Sequence, residues 1–199
     1  MAINAAEEES LEALKKWWEE NGKQLLTMVI VVFALGTSWL LWQNSQIAAA
    51  DAASDIYEEI LTLAVAEPGT EVSAENGAQI LDLGNQLRAD HSGTVYALFG
   101  SLFSAQQQVR TDDLAAAEES LQWILDNQKD GMFDKTDEGL ILTASLRLGR
   151  VILAQGDAER ALSLINNLDP KTFEPGFADL RGDVYLAMGR LVDAREAYQ

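Results

Sequence analysis

Two hydrophobic patterns divide this chain. From Leu25 to Trp42, 18 residues run without a formal charge; after that, apolar residues recur every three or four positions, the period of an amphipathic helix. As a helix the uncharged run measures about 27 Å at ~1.5 Å per residue, close to the roughly 30 Å hydrocarbon core of a bilayer. Trp17 and Trp18 flank it on one side and Trp39 and Trp42 on the other, where interfacial aromatic belts sit. A cleaved signal peptide has a shorter apolar core, about 7–15 residues, followed by small residues, which "AAADAAS" at 48–54 imitates. The long glutamate-containing N-terminal segment and the full spanning length favour a retained anchor over cleavage. Two fully apolar turns of β-branched residues argue against a core helix of a soluble domain. The expected organisation is an N-terminal segment 1–23, a transmembrane signal-anchor helix 24–43 and a domain 44–199.

The domain reads as all-α. Residues 47–66 place Ile56, Ile60 and Leu63 on one broad stripe with Tyr57, Leu61 and Ala64 beside it, and "EPG" at 67–69 stops that helix because proline cannot continue the backbone ladder. A second helix is predicted over Ala78–Arg88. Helices of about 12–16 residues follow, broken at "RTDD", "KDGMFDKTDEG", "QGD", "NLDPKTFEPG" and "MGR". No alternating strand pattern occurs outside the membrane run.

The helix pairs repeat. Gly182, Tyr185, Gly189, Ala194 and Tyr198 have the spacing of a tetratricopeptide repeat. Leu148, Gly149, Gly156, Ala161 and Ile165 give a second copy, Gly156 preceding Gly189 by 33 residues. Ala105, Asp112, Ala117 and Leu121 form a weaker third copy without glycine. Small residues at Gly182 and Ala194 let paired helices approach, Tyr185 and Tyr198 fill the space beside them, and Gly189 makes the turn. The expected fold is one transmembrane helix followed by a tetratricopeptide-like α-solenoid.

Charge sets orientation and excludes some partners. The formal net charge is −18. The segment before the span holds six Glu and three Lys, leaving 11 basic against 26 acidic residues after it. So acidic a domain is repelled by phosphate backbones, which argues against nucleic-acid binding. Lys15, Lys16 and Lys23 precede the span and the next basic residue is Arg88. Basic residues near span ends stay cytoplasmic, so the domain is expected across the membrane, in the periplasm of a bacterium, as a single-pass type II protein. The chain has no cysteine, and hence no disulfide framework or thiolate site.

From about Glu12 to its end the chain resembles the YfgM-type ancillary subunit family of the Sec translocon. The resemblance rests on "LKKWWEENGKQLL", "WQNSQIAAADAAS", "YALFGSLFSAQQQVRTDDLAAAEESL", "LRLGRVILAQGDAERALSLI" and "DLRGDVYLAMGRLVDAREAY", in that order. It implies a non-catalytic inner-membrane docking protein associated with SecYEG and with the membrane-anchored periplasmic chaperone PpiD, passing exported clients to periplasmic chaperones. It also implies continuation beyond Gln199, because the helix beginning near Leu191 is short. Two rival readings are an independent periplasmic chaperone and a structural scaffold of an envelope assembly.

Catalytic and metal chemistry find little footing. Asp126, Asp130, Gly131, Asp134 and Asp137 follow calcium-loop spacing, but Gln128 holds position three, Asp137 stands where the bidentate Glu belongs, and Phe133 replaces the usual aliphatic residue. A solvated helix connection explains the stretch better, and its length makes it a candidate contact loop. His91 is the only histidine and lacks zinc partners. Glu58–Glu59 and Glu118–Glu119 diverge by about 100° on their helices and cannot share a substrate. No GxSxG, phosphate-loop or GxGxxG motif occurs, and no cofactor is expected. Thr27, Ala34 and Ser38 form a small-residue stripe in the span, suited to helix contact in lipid or simply ordinary for an anchor. Partner binding is expected on the concave face, at Leu102, Gln106, Leu146, Arg150, Leu153, Asp179, Asp183 and Leu186, with only Arg150 and Arg110 as a basic pair. That pairing makes recognition of a terminal carboxylate improbable and favours a segment that buries apolar area against the leucines.

Overall fold

The computed structural model describes residues 2–65, 71–131 and 135–199, with side chains from residue 11 onward. Its helices are α1 (Ala2–Ala64), α2 (Ala74–Asp90), α3 (Val95–Arg110), α4 (Leu114–Asp126), α5 (Glu138–Ala154), α6 (Ala158–Asn166), α7 (Glu174–Ala187) and α8 (Leu191–Ala197), with a 3₁₀ turn at Lys171–Phe173. Among the described residues there is no strand, only an isolated bridge between Asp130 and Lys135. The all-α expectation holds. The chain divides into two compact units, residues 1–48 and 49–199.

In the first unit every residue from Lys23 to Ala48 is exposed, including Met28, Phe33 and Leu41. No described protein surface covers this apolar run, which is long and apolar enough to cross a membrane. The Thr27 hydroxyl donates to the Lys23 carbonyl at 2.8 Å and that of Thr37 to Phe33 at 2.9 Å. Both hydroxyls are thereby satisfied inside the helix, which the hydrocarbon core demands. Ala34 and Ser38 are exposed on the same stripe.

In the second unit consecutive helices pack as antiparallel neighbours, and α5 also touches α7. The main core joins α3 to α7 around Leu121, Ile124, Leu148, Ile165, Phe177 and Leu180. A smaller cluster packs Ala53 and Ile60 of α1 on Ile80 and Leu87 of α2 and Ala97 of α3. Tyr57 meets Tyr96, Phe99 and Phe103 with ring centroids 5.7–6.1 Å apart, where offset aromatic pairs are favourable.

One turn design recurs three times. Gly156 and Gly189 sit at φ +90° and +74°, and Asp112 takes the equivalent place at φ +61°. In each turn the next amide reaches back five residues: Asp113 to Gln108, Asp157 to Ile152 and Arg190 to Tyr185. This closure satisfies the last orphan carbonyls of a helix and calls for a left-handed residue. Asp113 and Asp157 then cap α4 and α6 through their carboxylates. Buried Ala117, Ala161 and Ala194 lie at matching points of the second helices. A Cβ on Gly149 would stand 2.7 Å from Leu180 Cδ2, so α5 and α7 pack at glycine spacing. The Tyr198 ring lies against Gly182 in the same fashion. Tyr185 is half-buried, with the Arg190 guanidinium 4.5 Å above its ring.

Three boundaries differ from the sequence reading. The span and the first domain helix form one helix, α1, because Gln43–Ala52 holds neither proline nor glycine. Helix α2 begins four residues early, since the Ser73 hydroxyl caps it by accepting from Asn76 N–H at 3.1 Å. "EPG" at 174–176 opens α7, with proline in the first turn where its missing N–H costs nothing; the earlier "EPG" at 67–69 lies outside the described residues.

Candidate docking surface

Helices α3, α5 and α7 are the first members of their pairs, the place from which the inner face was expected to be built. The predicted positions on it separate into three groups. Leu102 is buried at 7% exposure and belongs to the main core, so it offers no contact surface. Leu146 and Leu153 are half-buried against that core, and Leu146 Cδ2 would stand 2.9 Å from a Cβ on Gly176 of α7. They cement neighbouring helices; the leucines periodicity assigned to a partner are largely used by the fold. Gln106, Arg150, Asp179 and Leu186 are exposed. Asp183 is exposed too, but its carboxylate accepts from the Tyr198 hydroxyl at 2.6 Å and is tied to α8. That bond, with burial and the charges of Asp183 and Asp179, pushes the Tyr198 phenol up to about 12.

A groove of about 260 Å³ is lined by residues of α3, α4 and α5. Its floor is Ala105, Leu121 and Val151, all buried. Its walls are Gln106, Val109, Leu114, Arg147, Arg150 and Ala154. The Gln155 amide donates to the Leu114 carbonyl at 3.0 Å, fastening the end of α5 to the start of α4. Sequence reasoning missed Arg147. It lies three residues before Arg150 and so on the same helical face, a spacing that would have revealed it. Partial burial, and then the neighbouring Arg150 charge, hold the Arg147 guanidinium below its ordinary pKa, though an arginine stays cationic throughout the accessible range. Arg110, expected as the second cation, instead donates to the Val72 carbonyl.

The residues weighed for other chemistry have structural partners. Asp137 caps α5 by accepting from Leu140 N–H at 3.0 Å, and Asp126 accepts from the Gln122 amide at 2.8 Å. Thr136 and Lys129 bond to each other across the connection: the Thr136 amide donates to the Lys129 carbonyl at 3.0 Å, and the Lys129 amide donates to the Thr136 hydroxyl at 2.7 Å. Phe133 and Asp134 lie outside the described residues. The His91 amide ends α2 by donating to Leu87. Glu118 pairs with Arg160 across α4 and α6. Among the described residues no three His, Cys, Asp or Glu side chains converge as metal ligands.

Antiparallel helix pairs repeated with one turn design define a class, the tetratricopeptide-like repeat domains. A family model described as a tetratricopeptide repeat-like domain matches residues 15–199. The chain belongs to the family of ancillary SecYEG translocon subunits. It is 32% identical over 201 residues to the ancillary SecYEG translocon subunit of Escherichia coli, covering all of this chain and 88% of that one. It is 30% identical over 203 residues to the subunit of that name from Haemophilus influenzae, covering all of this chain and 90% of the relative. No solved structure matches.

Proposed function

We propose that this chain is a non-catalytic docking subunit of the Sec translocon, anchored in the bacterial inner membrane by Leu25–Trp42. Its N-terminal segment faces the cytoplasm and its repeat domain the periplasm. The domain contacts SecYEG and a PpiD-type membrane-anchored chaperone, so that exported chains reach periplasmic chaperones as they emerge. The observation that carries this reading is the short covalent tether. Only residues 43–52 separate the last spanning residue from Ala53, the first core residue of the domain. Ten residues reach at most about 36 Å even when fully extended, so the domain stays within a protein diameter of the membrane. The relatives' common description supports the partner, and the three lysines before the span, with no basic residue after it until Arg88, support the orientation.

Protease added to spheroplasts tests the arrangement. The domain after Ile47 should be digested while an N-terminal fragment remains in the membrane, and SecYEG should co-purify with the tagged intact chain from mild detergent. A domain found free in the periplasmic fraction, or protected until the membrane is dissolved, overturns it.

A further inference from the structure

The groove between α3 and α5 holds two cations without local use in a domain with a surplus of carboxylates. Most arginines elsewhere in the domain are engaged: Arg88 with Asn85, Arg110 with the Val72 carbonyl, Arg160 with Glu118 and Asp157, Arg181 with Glu174, and Arg190 with Asp193; Arg195, in the last turn of α8 and away from the groove, is the exception among the described residues. Arg147 and Arg150 have no hydrogen bond or ion pair among the described residues, although acidic residues after the span outnumber basic ones 26 to 11. Arg147 and Arg150 are both exposed on the groove wall, and like charges three positions apart on one helix repel. That repulsion is relieved when an anion binds between them. The floor beneath is apolar: Ala105, Leu121 and Val151, with Val109 and Ala154 at the rim.

We propose that this groove reads an internal peptide segment of a partner in which an aspartate or glutamate stands beside a bulky aliphatic side chain. The carboxylate bridges Arg147 and Arg150 in charge-assisted bonds, Gln106 bonds the segment's backbone, and the aliphatic group fills the space over Leu121. The volume of about 260 Å³ lies below the roughly 300–1,000 Å³ of small-molecule sites and suits single side chains of a longer segment. Asp179 and Asp183 on neighbouring α7 repel an extended acidic run, restricting the occupant to one or two carboxylates. A polyanion such as a phosphate backbone is excluded by the same field. The inference rests on the docking reading above and names the chemistry of what is docked.

The test uses the full chain in detergent micelles and fluorescence anisotropy with four labelled peptides: a leucine-rich peptide with one internal Glu and blocked ends, its Gln and Lys counterparts, and the Gln peptide with a free C-terminal carboxylate. The Glu peptide should bind about tenfold or more tightly than the blocked Gln peptide. Arg147→Gln with Arg150→Gln should remove that preference, and Arg147→Glu with Arg150→Glu should transfer it to a Lys peptide. Equal binding of the Glu and Gln peptides, or a preference that survives the arginine changes, overturns the proposal. So does tight binding of the Gln peptide through its free terminus alone. Capture of SecYEG by the tagged chain separates the two levels. If it survives Arg147→Gln with Arg150→Gln but is lost with Val109→Asp and Ala154→Asp, docking stands and carboxylate reading falls. If all four substitutions leave it intact, the docking face itself is wrong.

Discussion

Gly149→Ala probes the packing that holds the inner face together. The added Cβ would lie 2.7 Å from Leu180 Cδ2 and 3.5 Å from Ile165 Cγ2. Favourable carbon contacts fall near 3.5–4.0 Å, so the Leu180 contact is about 1 Å too close. Leu180 is fully buried beside Phe177 and Val184 and has no solvent to move into. Overpacking of this kind costs about 1–3 kcal/mol, offset by about 1 kcal/mol of helix propensity gained on replacing glycine. A net loss near 1 kcal/mol is expected. Leu180→Ala alone should cost about 2–5 kcal/mol as a buried truncation. It also removes the obstructing methyl, so the double variant should be more stable than the sum of the two losses by about 1–3 kcal/mol. Urea unfolding of the full chain in micelles, followed by far-ultraviolet circular dichroism, measures all three variants against one baseline, and the thermal midpoint of Gly149→Ala should fall by about 2–4 °C. Additivity within about 0.5 kcal/mol would refute the close α5–α7 approach, and with it the placement of Arg147 and Arg150 on the inner face.

Other outcomes follow from single residues. Gly156→Ala meets no atom within 4 Å but forces a side chain to φ +90°, and should cost about 1–2 kcal/mol; Gly93→Ala, with open space and no such φ, should be neutral or slightly stabilising in the same melt. The Tyr198 phenol is raised from 10.0 to about 12 by its bond to Asp183. That bond's contribution to the α7–α8 contact is complete below pH ~10 and lost as pH rises through ~12. Spectrophotometric titration should find Tyr198 among the last of the four tyrosines to ionise, and Asp183→Asn should bring it down. Leu146→Asp with Leu153→Asp should unfold the domain outright, because both side chains pack on the main core; a native circular dichroism spectrum for that variant would contradict the packing described.

The fold was legible because its determinants are local. The uncharged run, the Gly156 and Gly189 turns and the small residues Ala161 and Ala194 are fixed by backbone sterics and helix period, which the sequence states directly. The third turn was legible without glycine because aspartate is among the residues that tolerate the left-handed region. Boundaries set by a cap were less visible: Ser73 starts α2 within a polar stretch that carries no apolar period. The candidate docking face was legible only in part. Helical spacing places Leu102, Leu146 and Leu153 near the inner surface, but whether a leucine serves the core or a partner depends on how closely the next helix approaches. That approach is set by Gly149 and Gly176, remote in sequence from Leu102 and silent about sides. The place of Arg147 beside Arg150 was legible from their spacing, but its importance was not. Its significance is the lack of a carboxylate partner, which only the full set of neighbours reveals.

Site-specific photocrosslinking in living cells tests the central claim most directly. A photoreactive residue at Gln106, on the groove wall, and another at Glu119, on the exposed side of α4, should give different products. The account predicts crosslinks from position 106 to SecYEG or to a membrane-anchored periplasmic chaperone, and none from position 119. Crosslinks to these proteins from position 119 with none from position 106 would contradict it.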